Sequence, residues 1–196
     1  MIKRNYYCLV AGFPDLIPDD KKLHFSSVNL RNYLQEEIHP SDLELVKLFY
    51  LPWDHENLIS LLFESEFEWD ERGNYSRDEL EQFVDKKQFE YIDASAFPAY
   101  FIEFIEFYHD DEEEFPKIAA VKFLTEGWYK TLDESGNKFV AEFGEFKQNM
   151  SNILLALNGR KHEIPFEEAI IGDDEVTHAL IRSRARDFGL ASEIND

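Results

Sequence analysis

The stretch NMSNILLALNG, residues 149–159, contains two asparagines three positions apart that lead directly into five apolar residues, 153–157. Asparagine is a poor helix former, because its amide competes for backbone hydrogen bonds. A similar arrangement occurs earlier, in DHENLISLLF (residues 54–63), where a polar pair again precedes an apolar run. A repeated helix with a polar pair would divide the chain into two related halves, so these two stretches decide the fold.

The polar pairs align at a constant spacing, with Asp54 and Asn57 each 95 residues before Asn149 and Asn152. In both halves a loop and then a short helix with acidic residues in its first turn follow. Helix starts commonly have this composition, so chance similarity is the alternative to duplication. An asparagine inside a packed helical face usually satisfies a neighbouring backbone group. We expect equivalent places and a hydrogen bond to a neighbouring element for Asn57 and Asn152.

The rest of the chain also has helical patterning, and alternation typical of strands is scarce. The fold class is therefore predicted to be mainly α, with residues 1–96 as a first helical repeat and 97–196 as a second, packed as one globular unit. Ser41 and Asp54 are expected to cap helices, and Asn158-Gly159 to end the longest one. Residues 6–10 fit a buried strand or a buried helix equally well, with Cys8 as a buried, inert thiol.

Composition limits the function. The formal net charge of −21 argues against nucleic acid or anionic lipid as a partner and favours a basic protein partner, although such charge also keeps an aromatic-rich chain in solution. No apolar run approaches the roughly 20 residues that cross a bilayer, so direct membrane insertion is not expected. The single cysteine and the absence of a signal-peptide pattern at the start favour an intracellular location.

The sequence contains no motif that predicts catalysis, a cofactor or a metal. Phosphate loops, dinucleotide fingerprints and nucleophile elbows are missing, and the six histidines lack the paired spacing that binds zinc. The acidic run 109–114 lacks the spacing of a calcium loop and is interpreted as a solvated face. The basic run 182–186 is interpreted as the charged end of the last helix, with a docking patch as the alternative. A hydrolase with scattered carboxylates is the least favoured function.

Residues 146–171, FKQNMSNILLALNGRKHEIPFEEAII, resemble a stretch of the C/d-type subunit family of A/V-type ATPases. That family repeats an Asp-x-x-Asn helix, a basic loop and a capped acidic helix. Asn152 matches, Asn149 stands where the family favours Asp, and Gly159-Arg160-Lys161 follows the helix as the basic loop does. Asp54 and Asn57 match both polar positions. Residues 6–16 also resemble the start of an uncharacterised bacterial family associated with V-type ATPase gene sets.

The resemblance implies an all-helical pseudo-repeat fold around a central cavity. It implies a non-catalytic socket that seats the central stalk, built from the D-type and F-type subunits, on the membrane rotor ring of a proton- or sodium-transporting enzyme. The location would be cytoplasmic, peripheral at the inner face of the membrane through protein partners. That family has three repeats and this chain offers two, so we expect a truncated chain or a smaller protein that has lost a repeat. The alternative function is a freestanding acidic domain that binds a basic partner.

Overall fold

The computed structural model describes residues 4–14, 25–64, 66–110 and 115–183. Regular structure in these ranges is helical, without strands, which confirms the mainly α fold class. The helices are α1 (Tyr7–Ala11), α2 (Ser27–Glu37), α3 (Pro40–Lys47), α4 (Leu51–Phe63), α5 (Arg77–Val84), α6 (Ala99–Asp110), α7 (Lys117–Asp133), α8 (Lys138–His162) and α9 (Glu175–Arg182). Three short 3₁₀ helices lie at Phe89–Tyr91, Ala94–Ala96 and Glu167–Ala169.

The chain divides into two compact units, Met1–Gln82 and Phe83–Asp196, and the division falls within α5. The first unit contains α1 to α4 and most of α5, and the second contains α6 to α9. The repeat boundary expected between residues 96 and 97, and the packing of both halves as one globular unit, remain predictions.

In the first unit the starts of two helices differ from the sequence-based expectation. His39, and not Ser41, caps α3, because its Nδ1 accepts the Ser41 amide at 3.2 Å. Pro52 lies in the first turn of α4, where its missing N–H costs nothing, so Asp54 is inside this helix and is not its cap. The buried side of α4 carries both apolar and polar residues: Leu51, Asp54, His55, Asn57, Leu58 and Ile59.

The N-terminal apolar stretch forms α1, which settles the open choice between strand and helix. No residue of α1 is buried, and Cys8 is exposed, so the expectation of a buried thiol is wrong. A five-residue helix is too short to bury a continuous face, and residues on either side of it make contacts with the rest of the unit. The Tyr6 hydroxyl donates to Asp42 at 2.6 Å, and the Phe13 ring packs against Tyr33.

In the second unit, α6, α7, α8 and α9 pack each against the next in chain order. The longest helix, α8, continues past Asn158-Gly159 to His162, so the expected end is wrong. The left-handed residue at its end is Glu163, with φ of 56°. Gly159 is buried because Phe166 packs directly on it; a Cβ there would lie 2.5 Å from the Phe166 ring. Its small size, and not its backbone freedom, is what the structure uses.

Three sequence features fall partly outside the described residues. These are Asp15 and Leu16 of the N-terminal stretch, residues 111–114 of the acidic run, and residues 184–186 of the basic run.

Candidate functional site: two asparagine clasps

The side chain of Asn57 holds the loop that follows α4. Its Nδ2 donates to the Asp70 carbonyl at 2.9 Å, and its Oδ1 accepts the Asp70 amide at 3.0 Å. Asn57 is only 2 % exposed, so both bonds are shielded from water. We call this pair of bonds between an asparagine amide and one loop residue an asparagine clasp. It satisfies both backbone groups of one residue that has no helix or strand partner.

Asn152 forms the same clasp in the second unit. Its Nδ2 donates to the Ile171 carbonyl at 2.7 Å, and its Oδ1 accepts the Ile171 amide at 3.1 Å. The side chain is 3 % exposed. Gln148, one turn earlier on α8, donates to the same Ile171 carbonyl at 3.0 Å. The hydrogen bonds that the sequence predicts for both asparagines are therefore present, each to the loop after its own helix.

Each clasped loop leads to a capped short helix. Ser76 and Glu79 form a capping box at the start of α5, with the Glu79 carboxylate accepting the Ser76 amide at 2.7 Å. Asp174 caps α9 by accepting the Thr177 amide at 2.7 Å. Both units thus share the order of helix, clasp, cap and short helix.

The polar residue three positions before the clasp behaves differently in the two units. Asp54 is fully buried and accepts three hydrogen bonds from the loop: the Asn74 amide at 3.0 Å, the Asn74 Nδ2 at 2.8 Å and the Tyr75 amide at 3.1 Å. Gly73 is buried beside it, and a Cβ there would overlap the carboxylate. In the second unit the Oδ1 of Asn149 is buried without a hydrogen-bond partner among the described residues.

Two arginines add to the closure of the first loop. The Arg31 guanidinium donates to the carbonyls of Glu71, Arg72 and Gly73, at 3.2 Å and 3.1 Å for the first two. Arg72 pairs with Asp70 and lies over the Trp53 ring at 4.9 Å. This ion pair lowers the pKa of Asp70. The first loop is therefore fastened from residue 70 to residue 75.

Burial sets the ionisation of two residues on α4. It raises the pKa of Asp54 to about 6, although the Asn74 and Tyr75 hydrogen bonds and the charge of Arg31 act in the opposite direction. Burial lowers the pKa of His55 to about 3, so this imidazole is neutral at physiological pH. Asp54 is consequently the buried carboxyl whose charge state changes just below neutrality.

The comparisons with known proteins give a family and no relative. A family model described as "Protein of unknown function (DUF2764)" matches residues 3–196. The chain belongs to the DUF2764 family. No curated protein and no solved structure matches it. Family membership agrees with the predicted relation to an uncharacterised family, and the family description assigns no activity or partner.

In this DUF2764 chain the four residues singled out from the sequence occupy two sites. Asp54 and Asn57 converge on residues 70–75, and Asn149 and Asn152 face the segment around Ile171. Sequence reasoning did not find the loop partners, which are Asp70, Asn74, Tyr75 and Ile171, nor the two glycines beside them, Gly73 and Gly172. The glycines are the signal that was available: one stands in each loop, before the cap of the next helix.

The described part of this DUF2764 chain offers no cluster of three or more His, Cys, Asp or Glu side chains that could hold a metal ion. No helix within the same ranges is long and apolar enough to cross a membrane. The arrangement of groups in the two sites is one of hydrogen bonds that fix loops on helices.

Proposed function

We propose that the protein is a non-catalytic helical adaptor of a V-type ATPase that links the central stalk to the membrane rotor ring. One observation carries the proposal. Asn57 and Asn152, on which the resemblance to the C/d-type subunits rests, form the same clasp in two units of one helical chain. A repeated helix–clasp–cap unit is the feature that a pseudo-repeat socket requires.

The chemistry of the clasps supports a structural role for these residues. Each amide donates one N–H to one backbone residue, accepts from that same residue and is at most 3 % exposed, so burial keeps both amides away from a substrate. An adaptor needs surfaces held in a fixed shape, and the clasps hold two loops against two helices. Asp54 likewise uses its carboxylate on the Asn74 and Tyr75 backbone amides and the Asn74 side chain.

The charge of the chain supports a basic protein partner. With a formal charge of −21, association with a basic stalk protein would be accelerated and would weaken with salt. The proposed location is the cytoplasmic face of the membrane, through protein partners. The same charge favours the second candidate function, a freestanding acidic domain that binds a basic partner outside any ATPase.

Affinity purification from the native cell tests the proposal. The chain would carry a C-terminal tag at its own locus, membranes would be solubilised in a mild detergent at low salt, and bound proteins would be quantified by mass spectrometry. We expect the stalk, rotor-ring and headpiece proteins of a V-type ATPase to be enriched together with the bait. The control is an equally acidic, tagged cytoplasmic protein, which should recover none of them.

Two outcomes would count against the adaptor. Recovery of no ATPase component, with the bait itself intact, contradicts it. Recovery of a single basic protein from the soluble fraction, with no ATPase component at the membrane, supports the freestanding domain in its place.

A further inference from the structure

The longest helix, α8, has a second apolar face in addition to the one that packs in the core. Its buried residues lie on one side: Val140, Gly144, Asn152, Ala156 and Gly159. Six further apolar residues follow one another at intervals of four, three, four, three and four positions: Phe139, Phe143, Phe146, Met150, Ile153 and Leu157. This spacing places them along the opposite side of the helix. Phe139 is 69 % exposed, Phe146 is 63 % exposed, and Leu154 beside them is 52 % exposed.

The spacing of this second face is that of a heptad repeat. An average interval of 3.5 residues brings each apolar side chain back to the side of a helix that meets another helix. From Phe139 to Leu157 the face extends over about 27 Å, at a rise of 1.5 Å for each residue. Ile153 also packs on the core of the second unit, whereas the other members extend outwards from it. Single exposed apolar side chains are common on proteins, but a continuous line of them marks a contact surface.

The charge of α8 differs from that of the chain. Four Lys or Arg and two Glu give this helix a formal charge of +2, the most positive of the helices in the described ranges, against −21 for the whole chain. The charges are also divided between its ends. Residues 133–145 contain four Asp or Glu and one Lys, whereas residues 149–162 contain Arg160 and Lys161 and no acidic residue. A second helix with the same charges, running antiparallel, would therefore bring unlike charges together at both ends.

The apolar line is symmetric about residue 148. Its intervals are the same when read from either end, so an antiparallel copy of α8 places Phe146 opposite Met150 and Phe139 opposite Leu157. A surface that matches itself in this way is what a contact with two-fold symmetry requires. A parallel copy would instead place the acidic end of one helix against the acidic end of the other. Spacing and charge thus favour the same arrangement.

We infer that the exposed face of α8 binds the same face of a second copy of this chain, in antiparallel orientation. The apolar side chains would interdigitate in the middle of the contact, and the acidic start of each helix would lie beside the basic end of the other. A face of seven side chains is small beside a standard interface of about 800 Å² for each partner, so we expect a dissociation constant on the order of 10 μM. The inference goes beyond the adaptor function and does not rest on it.

Analytical ultracentrifugation of the full chain, at concentrations from about 1 to about 300 μM, tests the inference. Both copies carry −21, so the salt concentration is set at about 0.15 M, where repulsion beyond about 8 Å is screened. We expect the mass to rise from 23.2 kDa at the lowest concentration towards twice that value at the highest.

Two variants with the same change of charge locate the contact. Phe146→Glu places a carboxylate near the centre of the apolar face in both copies, and should weaken dimerisation by at least about a hundredfold. The control is Tyr91→Glu, since Tyr91 is an exposed aromatic residue of the same unit outside α8. This control should change the dissociation constant by less than about twofold, because a surface charge far from the contact is screened.

Double electron–electron resonance measures the orientation. A nitroxide is attached to Asn158→Cys in a chain that also carries Cys8→Ser, and both replaced residues are exposed. Residue 158 lies ten positions from the centre of the face at residue 148, so the two labels should be at least about 30 Å apart in an antiparallel dimer. In a parallel dimer they would lie side by side, about 10 to 20 Å apart.

A single monomeric mass at every concentration would overturn the inference and would leave the face of α8 to a different protein. Dimerisation unaffected by Phe146→Glu, equal weakening by Tyr91→Glu, or a short distance between the nitroxides would also overturn it. A circular-dichroism spectrum of each variant establishes that it is folded. Recovery of ATPase components from native membranes, together with an isolated chain that stays monomeric, defeats the second-copy contact and leaves the adaptor. A dimer without any recovered ATPase component defeats the adaptor alone.

Discussion

The first and second loops of this protein are held by the same clasp but are closed in different ways. The segment clasped by Asn57 also surrounds Asp54 with three hydrogen bonds and is fastened by Arg31. The segment clasped by Asn152 is shorter and leaves Asn149 beside a cavity. The difference shows that the clasp alone fixes where a loop meets its helix. The residue one turn before the clasp differs between the units: it is the buried carboxylate Asp54 in the first and Asn149, beside the cavity, in the second.

The largest effect is expected from removing either clasp. Asn57→Ala and Asn152→Ala each leave the amide and carbonyl of one loop residue without their partners and create a small cavity, so each should lower the free energy of unfolding by about 3 kcal/mol. Urea denaturation measures both, with Asn158→Ala, an exposed asparagine of α8, as the control that should change by less than about 0.5 kcal/mol. A large loss of unfolding free energy in one of these variants and none in the other would contradict the equivalence of the two clasps.

The next effect comes from the ionisation of Asp54, which has no counterpart in the second unit. Its pKa is raised to about 6 in the folded chain, so the folded state binds a proton that the unfolded state has lost between pH 4 and 6. Its contribution to stability is therefore present at low pH and is lost as the pH rises through 6. Between pH 4.5 and 7.5 the wild-type chain should lose about 2 kcal/mol relative to Asp54→Asn.

Paired denaturation curves of these two chains across that pH range measure the loss. Carbon-detected nuclear magnetic resonance of the Asp54 carboxyl gives its pKa independently. A carboxyl that titrates near 4, together with parallel stability profiles for the two chains, would contradict the burial of Asp54 away from water.

The caps that follow the two loops should have similar, smaller effects. Ser76→Ala removes the acceptor of the Glu79 amide, and Asp174→Ala removes that of the Thr177 amide. Each should cost about 1 kcal/mol of unfolding free energy. Thermal denaturation compares them with Ser95→Ala, an exposed serine outside both loops, which should cost less. A cap that costs nothing in one unit would mean that its short helix is held by packing alone.

The smallest effect is expected at Asn149. Asn149→Ala removes a buried oxygen that has no partner, so stability should change by less than about 0.5 kcal/mol. The same substitution three residues later, at Asn152, should cost several times more. The difference in unfolding free energy between these two variants of α8 distinguishes the unpaired Asn149 from Asn152, which forms the clasp. A loss at Asn149 as large as that at Asn152 would show that its oxygen is paired.

The sequence was sufficient for the helical class and for most helices, because amphipathic periodicity and caps are local properties. It was also sufficient for the polar pairs, since a constant spacing of 95 residues is visible without a structure. The hydrogen bonds expected of Asn57 and Asn152 were found, while the duplication itself stays a prediction.

The failures have a common physical cause, which is that contacts distant in sequence override local signals. An aspartate just before an apolar helical run is typical of a helix cap, but Asp54 is instead buried and accepts hydrogen bonds from loop residues about twenty positions later. An Asn-Gly pair after an apolar run is typical of a helix end, but Phe166 packs on Gly159 and α8 continues to His162. The cavity depends on how many residues separate each clasped residue from the next cap. That number can be counted only after the structure shows that Asp70 and Ile171 are the clasped residues.

Amide hydrogen exchange at Asp70 and Ile171 tests the central claim, the equivalence of the two clasps, most directly. Both amides donate to an asparagine oxygen, at 3.0 Å and 3.1 Å. We predict exchange at least about a hundredfold slower than in an unstructured chain at both residues, with loss of protection at Asp70 in Asn57→Ala and at Ile171 in Asn152→Ala. Unprotected exchange at either amide in the wild-type chain, or protection unchanged by the matching variant, would contradict it.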